Sequence, residues 1–278
     1  MENITPHRPG AKTHRRVMTI AGSDPSGGAG IQADIKTISA CGCFATSAIV
    51  AVVDENTMGV TGVHPVPEQF VVGQIRSILD DIGTDAVKIG MLHSASLIRA
   101  VCQTLDSYQS IGPIVLDPVM VATSGDPLLE ADAVDTLRQV LLPRATVITP
   151  NIPEAQMLLG RTISDPADLP DAARELAELG TSVFLKAGHL SGDRLTDIFY
   201  DRPTGRMVTL ESARVATRNT HGTGCTLSSA LASFIALGHK PADAARLAKD
   251  YINAAIVAGA GYSIGHGHGP VHHFHAFW

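Results

Sequence analysis

The strongest constraint on this chain is the alternation of short apolar runs with longer stretches of helical period. The runs are Val17–Ala21, Ser47–Val53, Ala86–Ile89, Pro113–Leu116, Thr146–Thr149 and Ser182–Leu185. Strands that are apolar on both faces must be covered on both faces, the condition of a parallel sheet sandwiched between helices. The helical stretches Ile31–Ala40, Glu68–Asp81, Ser94–Ser107, Ala131–Leu141 and Leu169–Leu179 fall between them as crossovers. Leu195–Tyr200 and Met207–Glu211 flank the turn Asp201–Gly205 and predict a hairpin; two helices, roughly Gly224–Leu237 and Ala242–Ala258, follow. No Pro/Ser-rich linker, charge run or repeat divides the chain. The pattern predicts a leader over residues 1–15 and one α/β domain over 16–278, a three-layer α/β/α sandwich with a mostly parallel central sheet.

Several partner classes are excluded by composition. Acidic residues outnumber basic ones 27 to 21, and no basic stripe with interleaved aromatics is present, so nucleic acid is not an expected partner. Nor is a membrane: the longest aliphatic run, Ala48–Val53, is far short of the ~20 residues a spanning helix needs. Four cysteines (Cys41, Cys43, Cys102 and Cys225) are too few for a disulfide framework. The polar, basic start lacks the apolar segment of a signal peptide, and the expectation is a reduced, cytoplasmic protein.

Ligands of open parallel sheets sit at the carboxyl ends of the strands, and the informative residues follow the predicted strands. Gly22–Gly30 holds four glycines in nine residues, which allows close backbone approach to a ligand or simply a strand-to-helix turn capped by Asp24 or Ser26. It is neither a Walker loop nor a dinucleotide fingerprint. Asp34, in the helix that follows, either answers the helix dipole or points into the cleft. Asp54-Glu55-Asn56-Thr57 reads as a polar loop, ordinary or suited to a heterocycle. Asn151 and Glu154 open a helix, as a capping box or as oxygen ligands in a Mg²⁺–water shell. Gly222-Thr223-Gly224-Cys225 precedes a small-residue helix, the arrangement that gathers free N–H groups into an anion hole. At that terminus the Cys225 thiol is expected to shift toward neutrality and serve as a base. Lys186 ends a strand beside the same edge, and Lys249 points either at the loop or into solvent. The tail Gly265–His275 invites a metal reading, but no cysteine or carboxylate accompanies its five histidines, so packing is the stronger expectation.

Taken together, AGSDPSGGAGIQADIKT, KIGML, VLDPVM, SGDPLL, TPNIPE, LKAGH, NTHGTGCTLSSALA and GHGPVHHFHAFW closely resemble the bacterial hydroxymethylpyrimidine and phosphomethylpyrimidine kinases of thiamin biosynthesis, ribokinase-like enzymes, in order from about Val17 to Trp278. The resemblance implies a homodimer that uses ATP and Mg²⁺. It would phosphorylate 4-amino-5-hydroxymethyl-2-methylpyrimidine to the monophosphate and then to the pyrophosphate. By position it implies a pyrimidine pocket of Gly22, Asp34, Val53, Glu55, Met91 and Val119. Glu55 would meet the amino edge, and Asp34 the hydroxymethyl group or a ring nitrogen. It implies an anion hole at Gly222, Thr223, Gly224 and Cys225, metal–phosphate ligation by Asn151, Glu154 and Asp117, and charge neutralisation by Lys186 and Lys249. Sugar kinases of this fold place an aspartate base where this chain has Cys225, and position 55 is glutamate where glutamine is as readily expected. The nearest alternative is a pyridoxal or pyridoxine kinase, which stops at the monophosphate; a non-catalytic pyrimidine-binding protein would need neither the anion hole nor Lys186.

Overall fold

The computed structural model describes residues 13–120, 133–188, 190 and 192–278. Most of the leader, the SGDPLL segment (Ser124–Leu129), the start of the helix expected at Ala131 and His189 lie outside these residues.

The first crossover unit is β1 (Arg16–Ala21), α1 (Gly30–Ala40) and β2 (Phe44–Ile49). A hairpin of β3 (Ala51–Asn56) and β4 (Gly59–Pro65) then leads into α2 (Glu68–Asp81), β5 (Ala86–Ile89), α3 (Ala95–Asp106) and β6 (Ile114–Leu116). After α4 (Ala133–Thr136) the chain continues through wide and tight helical turns to Arg144, then β7 (Val147–Ile148), α5 (Ile152–Leu159), α6 (Leu169–Ala177) and β8 (Ser182–Leu185). The strands β9 (Arg194–Asp201) and β10 (Arg206–Ala213) precede the long helices α7 (Thr223–Ala236) and α8 (Pro241–Gly259).

Eight strands form one sheet in the order β10-β9-β8-β7-β6-β5-β1-β2, parallel from β8 to β2, with β9 and β10 antiparallel. Successive strand residues face opposite cores, as a strand's two-residue period requires. Met18, Ile20, Val87 and Ile89 pack under α2, α3, α5 and α6; Val17, Ala86, Val115 and Val147 pack under α1, α7 and α8. This is the expected three-layer sandwich.

The long second strand, Ser47–Val53, is instead broken at Val50. β2 stays in the sheet and β3 leaves it to pair with β4. Asp54, Glu55 and Asn56 therefore sit on a strand rather than in a loop. β3 alternates buried and exposed residues because only one of its faces meets the core. The chain leaves β1 toward β2 and returns to β5 on the other side of β1, so the strand order reverses at β1 and β5. A crevice opens at such a reversal, beyond the strands' carboxyl ends.

Candidate active site

The site is assembled from the turns after β1, β5, β6, β7 and β8, the β3–β4 hairpin and the start of α7. Two glycine turns interlock at its centre. Gly222 caps α7 with φ of 75°, and a Cβ there would lie 1.8 Å from the Gly28 carbonyl oxygen. Gly30, at φ of 54°, would carry a Cβ 2.5 Å from the Gly22 oxygen. Only glycine satisfies both the backbone angle and the close approach. The amides of Gly222, Gly224 and Cys225 find no acceptor among the described residues, so together with the α7 dipole they form a concave donor set for an anion.

Charged side chains alternate beneath and beside this hole. Lys186 Nζ bonds Asp117 Oδ1 at 2.9 Å, and Thr149 donates to the same oxygen at 2.8 Å. Asp117 Oδ2 and Lys186 Nζ both lie 3.2 Å from where a Gly224 Cβ would be, so glycine there leaves them facing the helix start. Burial works against the Asp117 carboxylate, but Lys186 and Lys88 outweigh it and hold its pKa below the usual range. Burial likewise opposes the Lys186 ammonium, and Asp117 and Glu154 hold its pKa up. Asn151 and Glu154 form the reciprocal capping box of α5: Asn151 Oδ1 accepts from the Glu154 amide at 2.9 Å, and Glu154 Oε2 from the Asn151 amide at 2.8 Å. The same Glu154 carboxyl is buried, and that burial, helped by Asp117 and opposed by Lys186, raises its pKa to about 7. Capping and site membership thus coexist.

A small apolar cluster packs against the first turn. A Cβ on Gly22 would meet Met91 Cε at 3.0 Å and Val53 Cγ2 at 3.7 Å, so the glycine keeps Met91 and Val53 against the turn. Val119, two residues beyond Asp117, is half-buried against the same core. Glu55 stands 3.8 Å from His221 Nε2, and His221 Nε2 is 2.9 Å from Asp24 Oδ2. Asp24 gathers the first turn: its carboxylate accepts from the amides of Ser26, Gly28 and Ala29 at 2.7, 3.0 and 2.6 Å and from the Ser26 hydroxyl at 2.8 Å. Asp24, Glu55 and His221 are the only trio of metal-ligand type gathered this closely among the described residues. Asp24 Oδ2 already takes the imidazole, two amides and a hydroxyl, so the trio is an ion-paired latch rather than an open metal site. Burial opposes a charged His221, but the bond to Asp24 and then the charge of Glu55 raise its pKa.

The phosphomethylpyrimidine kinase family model matches residues 24–272. The chain belongs to that family. It is 46% identical over 94% of its length to the hydroxymethylpyrimidine/phosphomethylpyrimidine kinase of Rhizobium meliloti, covering 97% of that protein, and 45% identical to that of Escherichia coli, covering 94% of this chain and 98% of the other. Among solved structures, the phosphomethylpyrimidine kinase of Clostridium difficile superposes with a TM-score of 0.75 at 40% identity, covering 87% of this chain and 99% of that one. The pyridoxal kinase of Staphylococcus aureus in complex with ADP gives 0.86 at 32% identity, covering 96% of each chain.

Three expectations change in this family member. Asp34 was expected in the pyrimidine pocket, yet its carboxylate has no exposed surface. It accepts from Lys88 at 2.9 and 2.8 Å, Thr19 at 2.6 Å and Ser229 at 2.8 Å. It lies below the cleft as half of a buried ion pair. Lys249 was expected to meet phosphate, but its ammonium is buried against Asp197 at 2.7 Å, and Asp197 also accepts from the Ala187 amide at 2.8 Å. It steadies the chain beside Lys186. The Cys225 thiol, expected to fall toward neutrality, is pushed up to about 11: burial dominates, and the charges of Asp34 and Asp117 add to it against Lys88 and a hydrogen bond from Gly30.

Lys88, Asp24 and His221 carry the site's organisation without having been singled out as functional. The signal for Lys88 was visible: a lysine inside the apolar strand Ala-Val-Lys-Ile requires a buried acid.

Proposed function

We propose that this kinase transfers the terminal phosphoryl group of ATP to the CH₂OH of 4-amino-5-hydroxymethyl-2-methylpyrimidine, and a second to the resulting monophosphate, in thiamin biosynthesis. The observation that carries the reading is the free-amide hole at Gly222, Gly224 and Cys225, with Lys186 and Asp117 facing Gly224, beside the turn against which Val53 and Met91 pack. The apolar side chains of Val53 and Met91 suit the flat face of a methylpyrimidine, with Val119 beside them and Glu55 accepting from the amino edge. Charge developing on the transferred group meets the helix-terminal amides and the Lys186 ammonium, electrostatic stabilisation of the kind phosphoryl transfer mainly relies on. Kinship with a pyridoxal kinase seen with ADP supports nucleotide binding.

Mg²⁺ fits the donor set. Asp117 Oδ2 and Glu154 Oε1 accept no hydrogen bond from the described residues, both are hard oxygens, and a cation between them would offset the burial that raises the Glu154 pKa. When bound, the ion would neutralise phosphate oxygens; Asn151 serves by holding Glu154. Thr223, at the first position of α7, would lie along the phosphates.

Residues 16–278 are proposed to work as one domain behind a dispensable leader, in the cytoplasm and as a homodimer. The dimer draws support from Phe44, Val52, Val63 and Phe70, all exposed on the open edge strand, the hairpin and α2. No helix among the described residues is long and apolar enough to cross a membrane.

The test is product mass after incubation with the hydroxymethylpyrimidine and MgATP, with pyridoxal in parallel. Monophosphate followed by pyrophosphate is expected. Pyridoxal phosphate with no pyrimidine product would move the chain to the vitamin B6 kinases.

A further inference from the structure

The glycine–histidine tail has no part in the chemistry above, and its histidines His266 and His268 are exposed. Its glycines are what contact dictates. A Cβ on Gly265 would lie 2.2 Å from Thr57 Oγ1, one on Gly267 1.8 Å from the Thr57 carbonyl oxygen, and one on Gly269 2.2 Å from Asn219 Oδ1. Hydrogen bonds run at the same points. The Gly267 amide donates to Thr57 Oγ1 at 3.1 Å, and the His268 amide to the Thr57 carbonyl at 2.8 Å. The His221 amide donates to the Gly269 carbonyl at 3.0 Å, and His221 pairs with Pro270 as an isolated bridge. Asn219 Nδ2 in turn donates to the carbonyls of Gly259 and Tyr262, both at 2.7 Å, which fixes its end of the contact to α8 and the start of the tail.

One stretch of backbone therefore grips two separate edges of the cleft. Thr57 is two residues from Glu55, and His221 immediately precedes Gly222. The two edges also meet directly, His221 Nε2 lying 3.8 Å from Glu55 Oε1. We infer that Gly265–Pro270 is a positioning strap of the catalytic site, setting the span between Glu55, where the pyrimidine is held, and the Gly222–Cys225 amides, where the phosphoryl group is held. The strap touches neither group and acts through Thr57 and His221. The inference rests on the proposed pyrimidine kinase reading, since only that reading puts a ligand between the two edges.

Gly267→Ala in the full chain is the test. A carbon 1.8 Å from the Thr57 oxygen forces the hairpin turn away by about an ångström, a misplacement able to cost ~10²-fold in kcat/KM. The expected result is a rise in KM for the hydroxymethylpyrimidine of roughly tenfold or more, with KM for MgATP within about twofold of the parent. Thr57→Val, which keeps the shape and removes the Oγ1 acceptor, should raise the same KM by about threefold and stands in if the first variant does not fold. Folded variants that melt lower yet keep the parental pyrimidine KM would overturn the strap and leave a purely structural tail. Absence of pyrimidine phosphorylation by the parent protein would instead remove the functional reading itself.

Discussion

Asp34→Asn separates a buried ion pair from a substrate contact. Lys88 and Asp34 have no exposed side-chain surface, and the ammonium meets both carboxylate oxygens at 2.9 and 2.8 Å. Burial disfavours the Lys88 charge, but Asp34 outweighs it and the lysine stays protonated. Asparagine keeps the size and an oxygen for Thr19 or Ser229, yet turns an amide toward an ammonium that has lost its counter-charge. Breaking a buried pair from one side costs about 3–5 kcal/mol, a large share of the roughly 5–15 kcal/mol that holds a domain together. At about 2–4 °C per kcal/mol for a chain of this size, the melting temperature should fall by roughly 6–20 °C. Adding Lys88→Met removes the stranded charge and should recover most of that loss, because a charge-free pair of similar volume is close to neutral. Thermal and urea unfolding of the two single variants and the double variant measures the coupling, and the pyrimidine KM of each folded protein is read beside it. A fall under about 2 °C for Asp34→Asn, with a sharply raised pyrimidine KM, would refute the buried-pair assignment and return Asp34 to the pocket.

Glu55→Ala should weaken hydroxymethylpyrimidine binding by about 10–100-fold, the worth of a hydrogen bond to a charged group, without lowering the melting point; calorimetry showing unchanged affinity would take Glu55 out of the pocket. Lys186→Met should cut kcat by about 10²–10³-fold, and a loss below about tenfold in steady-state assays would mean the ammonium serves Asp117 alone. His221 has its pKa raised, burial notwithstanding, by its bond to Asp24 and the charge of Glu55. Its contribution is therefore complete below the unfolded value of about 6.5 and fades as pH rises through the folded one; melting curves of the parent and His221→Gln should differ more at pH 6 than at pH 9, and a constant gap would deny the charge. Cys225, pushed up to about 11, should be alkylated by iodoacetamide at a rate that climbs about tenfold per pH unit above neutrality; a plateau near pH 7 would restore the low-pKa thiolate.

The sheet was legible because its strands are buried on both faces and read as continuous apolar runs bounded by turns. The β3–β4 hairpin was not, because Ser47–Val53 runs on without a break at Val50: the change of partner there is a tertiary event. The glycines at 22, 30, 222 and 224 stood out in the sequence as places of close backbone approach, and each has a neighbour within 3.2 Å of where a Cβ would be, with positive φ at 30 and 222; that they cradle a ligand is part of the proposed function. What local sequence does not carry is the partner of a buried charge. Asp34 and Lys88 are 54 positions apart, Asp24 and His221 197, and only the packed sheet and α7 decide that these charges neutralise one another instead of facing a ligand. The Cys225 pKa failed for the same reason. The dipole is a local property of its helix, while the burial and the two carboxylates that oppose it come from elsewhere in the fold.

A thiol protonated at neutral pH remains compatible with phosphoryl transfer. The transition state is loose, with little bond to the incoming alcohol, so the alcohol needs positioning more than early deprotonation. What must be in place beforehand is charge, and the residues supply it in alternation: Asp34 against Lys88, Lys88 and Lys186 about Asp117, Lys186 against Glu154. With Glu154 ionised the set holds one more carboxylate than ammonium, while burial above all, with Asp117 adding to it against Lys186, raises the Glu154 pKa to about 7. The cleft is thus built slightly too negative for itself on the side of Asp117 and Glu154, and rich in unsatisfied N–H groups on the side of Gly222–Cys225. A polyphosphate carrying its own divalent cation complements both sides at once, whereas a bare phosphate would be repelled by the first. On the proposed reading, that asymmetry would favour the metal–nucleotide complex over free nucleotide.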